Sequence, residues 1–244
     1  MIKGLYQSAS AMLPRIKQQE TIANNLANAS SAGFKRDLVF TKELNRVQQQ
    51  KGLPRHTDWQ RPMIDQVYTS FTQGTLDKTE NPYDIAIDGP GFFVFESEGG
   101  TKVLSRAGSL SVSPEGVLIN SEGQPLMGDG GPINIGSGPV SISETGQVQV
   151  NNTMVGQIQV VDVEDKEGLQ KAGSRGFVVP ETVELLQAAD FAVRQGYLES
   201  SNVDVIREMI DMIISFRNYE ADAKAVQTQD DSLEKLINNV GRVR

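Results

Sequence analysis

His56 is the one histidine in 244 residues, and there is no cysteine. The inventory for acid–base or nucleophilic chemistry is therefore thin. A catalytic histidine needs a nucleophile and an orienting carboxylate. His56 stands in a polar, aperiodic stretch, residues 45–62 (NRVQQQKGLPRHTDWQRP), with no such partner to nominate. Asp84 and Asp88 fall on one face of an alternating run. Paired carboxylates can share proton transfer, but carboxylates also flank turns, and the turn role is favoured here. Gly128-Asp129-Gly130-Gly131 is glycine-rich. No helical pattern opens after it, as a nucleotide-binding loop requires, and Asp129 lacks the spaced partners of a calcium loop. Disulfides, thiolate metal sites and thiol catalysis need the missing cysteine. The residues point away from an enzyme and nominate no cofactor and no metal.

The elements that position these residues follow two periods. At the start, Ile2, Leu5, Ala9, Met12, Ile16, Gln19, Ala23 and Leu26 step by three and four. That is a heptad seam. Pro14 lies inside it and predicts a kink or a late helix start. At the end, Ile206, Met209, Ile213, Phe216, Tyr219, Ala223, Val226, Asp230, Leu233, Ile237 and Val240 keep the rhythm, with one extra three-step at Phe216–Tyr219. Ser201 and Asp204 resemble a capping box before it. Between the seams, short apolar alternations are separated by glycine-rich turns. They run from Asp84-Ile85-Ala86-Ile87-Asp88 and Phe92-Phe93-Val94-Phe95 to Ile158 and Val160. These read as strands of a sandwich or irregular barrel. Residues 181–189 read as a short helix. The expected class is α+β: a central all-β domain flanked by N- and C-terminal heptad helices that form a coiled-coil-like core. The division is 1–44, N-terminal helix and turn; 45–74, extended connector; 75–200, β-domain; 201–244, C-terminal helix.

Charge is uneven. The chain carries −8 overall, with +6 in residues 1–62 and −4 in residues 203–240. The acidic balance argues against nucleic acid, while the opposed charges of the ends fit two solvated faces first and pairing with one another second. No apolar run reaches the length of a membrane span, and Gln7, Ser8, Ser10, Pro14 and Arg15 interrupt any signal-peptide core. Two functions of different class fit: a subunit that polymerises through its terminal helices, or a secreted β-domain that binds a ligand and carries helical stalks. An enzyme is a distant third. A stalk needs only a generic heptad, whereas a polymer subunit needs specific polar contacts. Asn24, Asn25 and Asn28 crowd the end of the first helical run although asparagine is a poor helix-interior residue.

Residues 22–28 (IANNLAN), with Gly33-Phe34-Lys35 after them, closely resemble the N-terminal signature of the bacterial flagellar rod and hook proteins. Residues 73–76 (QGTL), 84–93 (DIAIDGPGFF), 108–110 (GSL), 116–118 (GVL), 196–203 (GYLESSNV) and 209–226 are similar to later parts of the same family. The resemblance implies a basal-body rod subunit of the FlgF/FlgG type. The lean is to the proximal (FlgF) type over the distal (FlgG) type, since no extra segment follows Gly33-Phe34-Lys35. It implies terminal helices forming a tube around the export channel, with the β-domain outside. It also implies passage through the flagellar type III export apparatus without a cleaved signal, and assembly across the periplasm. Partners would be copies of the chain and neighbouring rod subunits. No small-molecule substrate, nucleic acid or membrane span is implied. The assembly interface would comprise Ile2, Leu5, Ala9, Met12, Ile16, Ala23, Asn24, Asn25, Leu26 and Asn28, with Ile206, Met209, Ile213, Phe216, Tyr219, Ala223, Val226, Leu233, Ile237 and Val240. Gly33, Phe34 and Lys35 would form the signature turn. In that setting Asn24 and Asn25 bridge neighbouring helices, and Asn28 ends its helix in the left-handed conformation. In an isolated subunit both ends are expected to stay unfolded until assembly covers them.

Overall fold

The computed structural model describes residues 2–44, 61–97, 99–136, 138–180, 183 and 185–240. The chain divides into two compact units. One gathers Met1–Ala27, Asp37–Thr69 and Asp204–Arg244; the other is Asn28–Arg36 with Ser70–Val203.

The first unit is built on two helices, α1 (Ile2–Ala27) and α2 (Val205–Val240), which pack on each other. The two ends of the chain thus pair with each other within this unit. α1 runs through Pro14 without the late start that residue suggested. α2 begins at Asp204, whose Oδ1 accepts from the Ile206 and Arg207 amides at 3.0 and 3.1 Å. Asp204 is therefore the N-cap itself. Ser201 accepts only from the Val203 amide, at 3.3 Å, so the expected capping box is not the device used. A hairpin that the sequence reading did not foresee packs on α1: β1 (Asp37–Leu44) pairs antiparallel with β2 (Arg61–Thr69). β2 occupies part of the segment expected as a connector. Residues 45–60 of that connector, with His56, lie outside the described residues, and residues 70–74 belong to the second unit.

The second unit is antiparallel β throughout its pairings. β3 (Leu76–Lys78) pairs with Tyr197–Glu199, and β4 (Ile85–Asp88) with Ala192–Gln195. A six-stranded sheet runs Gln170–Ala172, Gly176–Val178, β6 (Lys102–Ser105), β5 (Phe92–Glu96), Val160–Asp162, Leu186–Gln187. Strand side chains alternate between faces. Phe93 and Phe95 of β5 enter one apolar cluster, and Phe92 and Val94 enter a second on the opposite face. Both faces of this sheet are buried, which accounts for the continuous apolar run. In the second cluster Phe71, Phe92 and Phe177 meet with ring centroids 5.1 to 6.1 Å apart. A separate sheet of Val140–Ile142, Gln147–Val150 and Thr153–Gln157 turns at Asn151 and Asn152. Both have positive φ, 49° and 63°, as a two-residue hairpin loop requires. The helix expected over 181–189 is replaced, at Leu186–Gln187, by an edge strand against Val160–Asp162.

Candidate assembly surface and a buried ion node

In the helical unit, α1 buries Pro14, Thr21, Ile22 and Asn25. Asn25 is 1% exposed and joins three elements. Its Nδ2 donates to the Asp37 carbonyl at 2.8 Å and to Glu208 Oε2 at 3.3 Å, and its Oδ1 accepts from the Asp37 amide at 2.9 Å. Its contacts therefore lie within this chain, on β1 and α2. Asn24 is exposed, and Asn28 is half-buried. Asn28 lacks the expected left-handed backbone; its carbonyl accepts from the Ser31 amide at 3.0 Å, and Gly33, with φ +72°, makes the left-handed turn instead.

α2 turns a polar face inward. Glu208 and Ser215 are each 1% exposed. Gln19 Nε2, Ser215 Oγ and Gln229 Oε1 are buried with no hydrogen-bond partner. Tyr219, Ala223, Val226 and Leu233 are half-buried. The other expected contact residues face out: Ile206 is 72% exposed, Met209 49%, Ile213 55%, Phe216 53% and Ile237 70%. Ile210 and Ile214 widen this stripe. On α1, Ile16 and Ala23 are exposed, and Met12 and Leu26 half-buried. The side chains of Ile2, Leu5, Ala9 and Val240 lie outside the described residues.

In the β unit, the signature turn is wholly internal. Phe34 is fully buried and Lys35 is 1% exposed. The Gly33 amide donates to the Glu199 carbonyl at 2.7 Å. A Cβ on Gly33 would stand 2.3 Å from the Ala107 nitrogen, so no side chain fits. Lys35 Nζ donates to Glu199 Oε1 at 2.6 Å and to the Thr72 carbonyl at 2.8 Å. Glu199, itself fully buried, also accepts from the Gly74 amide at 3.0 Å and from Arg106 at 3.1 Å. Arg106 spends further donors on the Ile87 and Gly89 carbonyls and lies over the Phe92 ring. One carboxylate thus serves two buried cations. Burial pushes the Lys35 ammonium below lysine's ordinary 10.5, against the upward pull of Glu199. Lys171 covers the Phe34 ring at 4.5 Å. Sequence reading singled out Gly33, Phe34 and Lys35 as a turn; it missed Arg106 and the charge role of Glu199.

Asp84 is buried and accepts from Asn81 Nδ2 at 3.1 Å, while Asp88 is exposed near Arg194. Both serve turns and strand ends. Among the described residues no group of His, Cys, Asp or Glu is clustered to hold a metal ion, and no helix is long and apolar enough to cross a membrane.

Three family profiles match in chain order. "Flagella basal body rod protein" covers residues 5–35, the "Flagellar hook protein FlgE/F/G D1 domain" covers 86–150, and "Flagellar basal body rod FlgEFG protein C-terminal" covers 194–239. The flagellar basal-body rod protein FlgG of Buchnera aphidicola (subsp. Schizaphis graminum) is 31% identical over 259 residues, spanning 97% of this chain and 99% of that protein. FlgF of Caulobacter vibrioides is 31% identical over 247 residues, spanning both chains completely. The hook-basal body complex protein FlhO of Bacillus subtilis is 29% identical over 276 residues, again spanning both.

Proposed function

The chain belongs to the flagellar basal-body rod protein family, of which it is a structural subunit, and we propose from that premise that it polymerises through the outward stripe of α2. The observation carrying this reading is the inversion of the helix pair. Within the chain, α2 spends its polar Glu208 and Ser215 on the inward face and leaves Ile206, Met209, Ile210, Ile213, Ile214 and Phe216 to solvent. An apolar patch of this kind marks an interaction site. Neighbouring copies or adjoining rod subunits would cover it, closing a coiled-coil-like inner core around the export channel. Ile16, Ala23 and Asn24 on α1 would add to the same surface. The remaining expected contacts, from Met12 and Leu26 to Tyr219, Ala223, Val226, Leu233 and Ile237, would complete it, together with Ile2, Leu5, Ala9 and Val240. Asn25 and Asn28 would support it from within the chain.

The proximal, FlgF-type position is the reading favoured by length. The alignment to FlgF of Caulobacter runs 247 residues, against 259 for FlgG of Buchnera, so the FlgF relative needs fewer gaps. Export through the flagellar type III apparatus without a cleaved signal, and assembly in the periplasm, belong to the same proposal. The test is Ile213→Asp in the native bacterium, followed by isolation of basal bodies. Rods should be absent or truncated while exported subunit accumulates. Full-length rods and normal motility would overturn the reading.

A further inference from the structure

The β unit holds its N-terminal insert, residues 28–36, by contacts drawn from distant parts of the chain. Lys35 is tied to Thr72 and Glu199, and Gly33 to Glu199. Just beyond the ion node, Asn202 Oδ1 accepts from the Arg36 amide at 2.7 Å. Asn202 Nδ2 donates to the Ser70 and Thr72 carbonyls at 2.9 and 3.1 Å. The Ser70 amide closes the circuit onto the Arg36 carbonyl at 2.8 Å. Arg36, Ser70 and Asn202 stand at or next to three of the four points where the chain leaves this unit.

We propose that Lys35, Glu199, Arg106 and Asn202 form a latch that seats residues 28–36, and that it opens and closes as a local unit, separately from the β core. The two cations are not equally free to leave the node. Glu199 is the only carboxylate in contact with either buried cation among the described residues. Without it, two cations share a site from which water is excluded, and burying an unpaired charge is costly. Arg106 cannot leave cheaply: it follows β6 in the middle of the six-stranded sheet, packs on Phe92, and has two backbone carbonyls as partners. Lys35 can leave, because it stands on a nine-residue insert with no strand pairing of its own. The cheaper relief is release of the insert. The latch also needs residues near both ends of the β unit, so it closes only after residues 199–202 are in place. Seating of the N-terminal signature then reports that the β unit is complete. That use rests on the rod-subunit reading; the existence of the latch does not.

Amide hydrogen exchange on the full-length monomer tests it, independently of any assembly. In Glu199→Gln, the amides of Gly33, Arg36 and Ser70 should lose at least about tenfold protection, while those of Phe93, Val94 and Leu104 keep theirs, as for a separate cooperative unit. Lys35→Met, which removes one tie but leaves Arg106 to neutralise Glu199, should cost the Gly33 and Arg36 amides clearly less protection than Glu199→Gln does. If Glu199→Gln does not fold, Asn202→Ala supplies the same readout at Arg36 and Ser70 without touching the ions. Unchanged protection at these amides would overturn the proposal. So would simultaneous loss in the latch and the core strands, which would make the node part of the core.

Discussion

Asn25 and Asp37 exchange two hydrogen bonds, side-chain amide to backbone, at 2.8 and 2.9 Å. The carboxamide imitates a strand residue and pairs with the first residue of β1 as a neighbouring strand would. Asn25→Ala should therefore destabilise the helical unit by about 1–3 kcal/mol, the cost of leaving buried polar groups unsatisfied. The gain in helix propensity, about 0.5 kcal/mol, is too small to offset it. Asn24→Ala, at an exposed position, should cost less than half as much. Denaturant melts of the two variants make the comparison.

Gly33 is constrained twice, by φ +72° and by the Ala107 backbone at 2.3 Å from any Cβ. Gly123 has φ +78° with nothing within 4 Å of its Cβ position. Gly123→Ala should cost about 1–2 kcal/mol, the left-handed penalty alone. Gly33→Ala should cost more, because backbone must also move. Equal losses in thermal melts would show that the close approach is relieved without strain.

Asp204→Ala should cost about 1 kcal/mol through loss of the N-cap, whereas Ser201→Ala should cost clearly less. Helix-resolved hydrogen exchange would place the loss in the first turn of α2. A larger effect at Ser201 would restore the capping box expected from sequence.

Lys35 gives a pH dependence with a definite sign. Its folded-state pKa is lowered, chiefly by burial. Between that lowered value and the ordinary 10.5, the unfolded chain holds more protons than the folded one. Stability from this group is therefore fully present above 10.5 and is lost as pH falls through the lowered value. Glu199, Arg106 and Lys166 also act on it. The difference in unfolding free energy between the parent and Lys35→Met cancels their common titration. It should move in favour of the parent as pH rises from neutral toward 10.5; movement in the opposite direction would contradict the assignment.

The sequence made the apolar strands legible because alternation is local: Ile85 to Phe95 contains both its strands and the turn between them. It hid the β1–β2 hairpin, whose two strands are separated by residues 45–60 instead of a short turn. Lys35 and Glu199 are 164 positions apart, and no local period reports such a pair. The available signal was an ionisable residue set directly beside apolar ones, in Gly33-Phe34-Lys35 and in Tyr197-Leu198-Glu199. Asn25 was legible as unusual, but its partners were not. Periodicity found the apolar stripe of α2 but carries no information about which partner it faces; within the chain Ile206, Met209, Ile213 and Phe216 stay exposed.

The cysteine-free sequence permits one direct test of the central claim that the α2 stripe is the contact between subunits. A single Ile213→Cys variant that still supports motility is labelled with a maleimide, first as purified monomer and then in isolated basal bodies. The account predicts rapid labelling of the monomer, where position 213 is about half exposed, and strong protection in the rod. Equal labelling in both states would show that the stripe faces solvent after assembly and would contradict it.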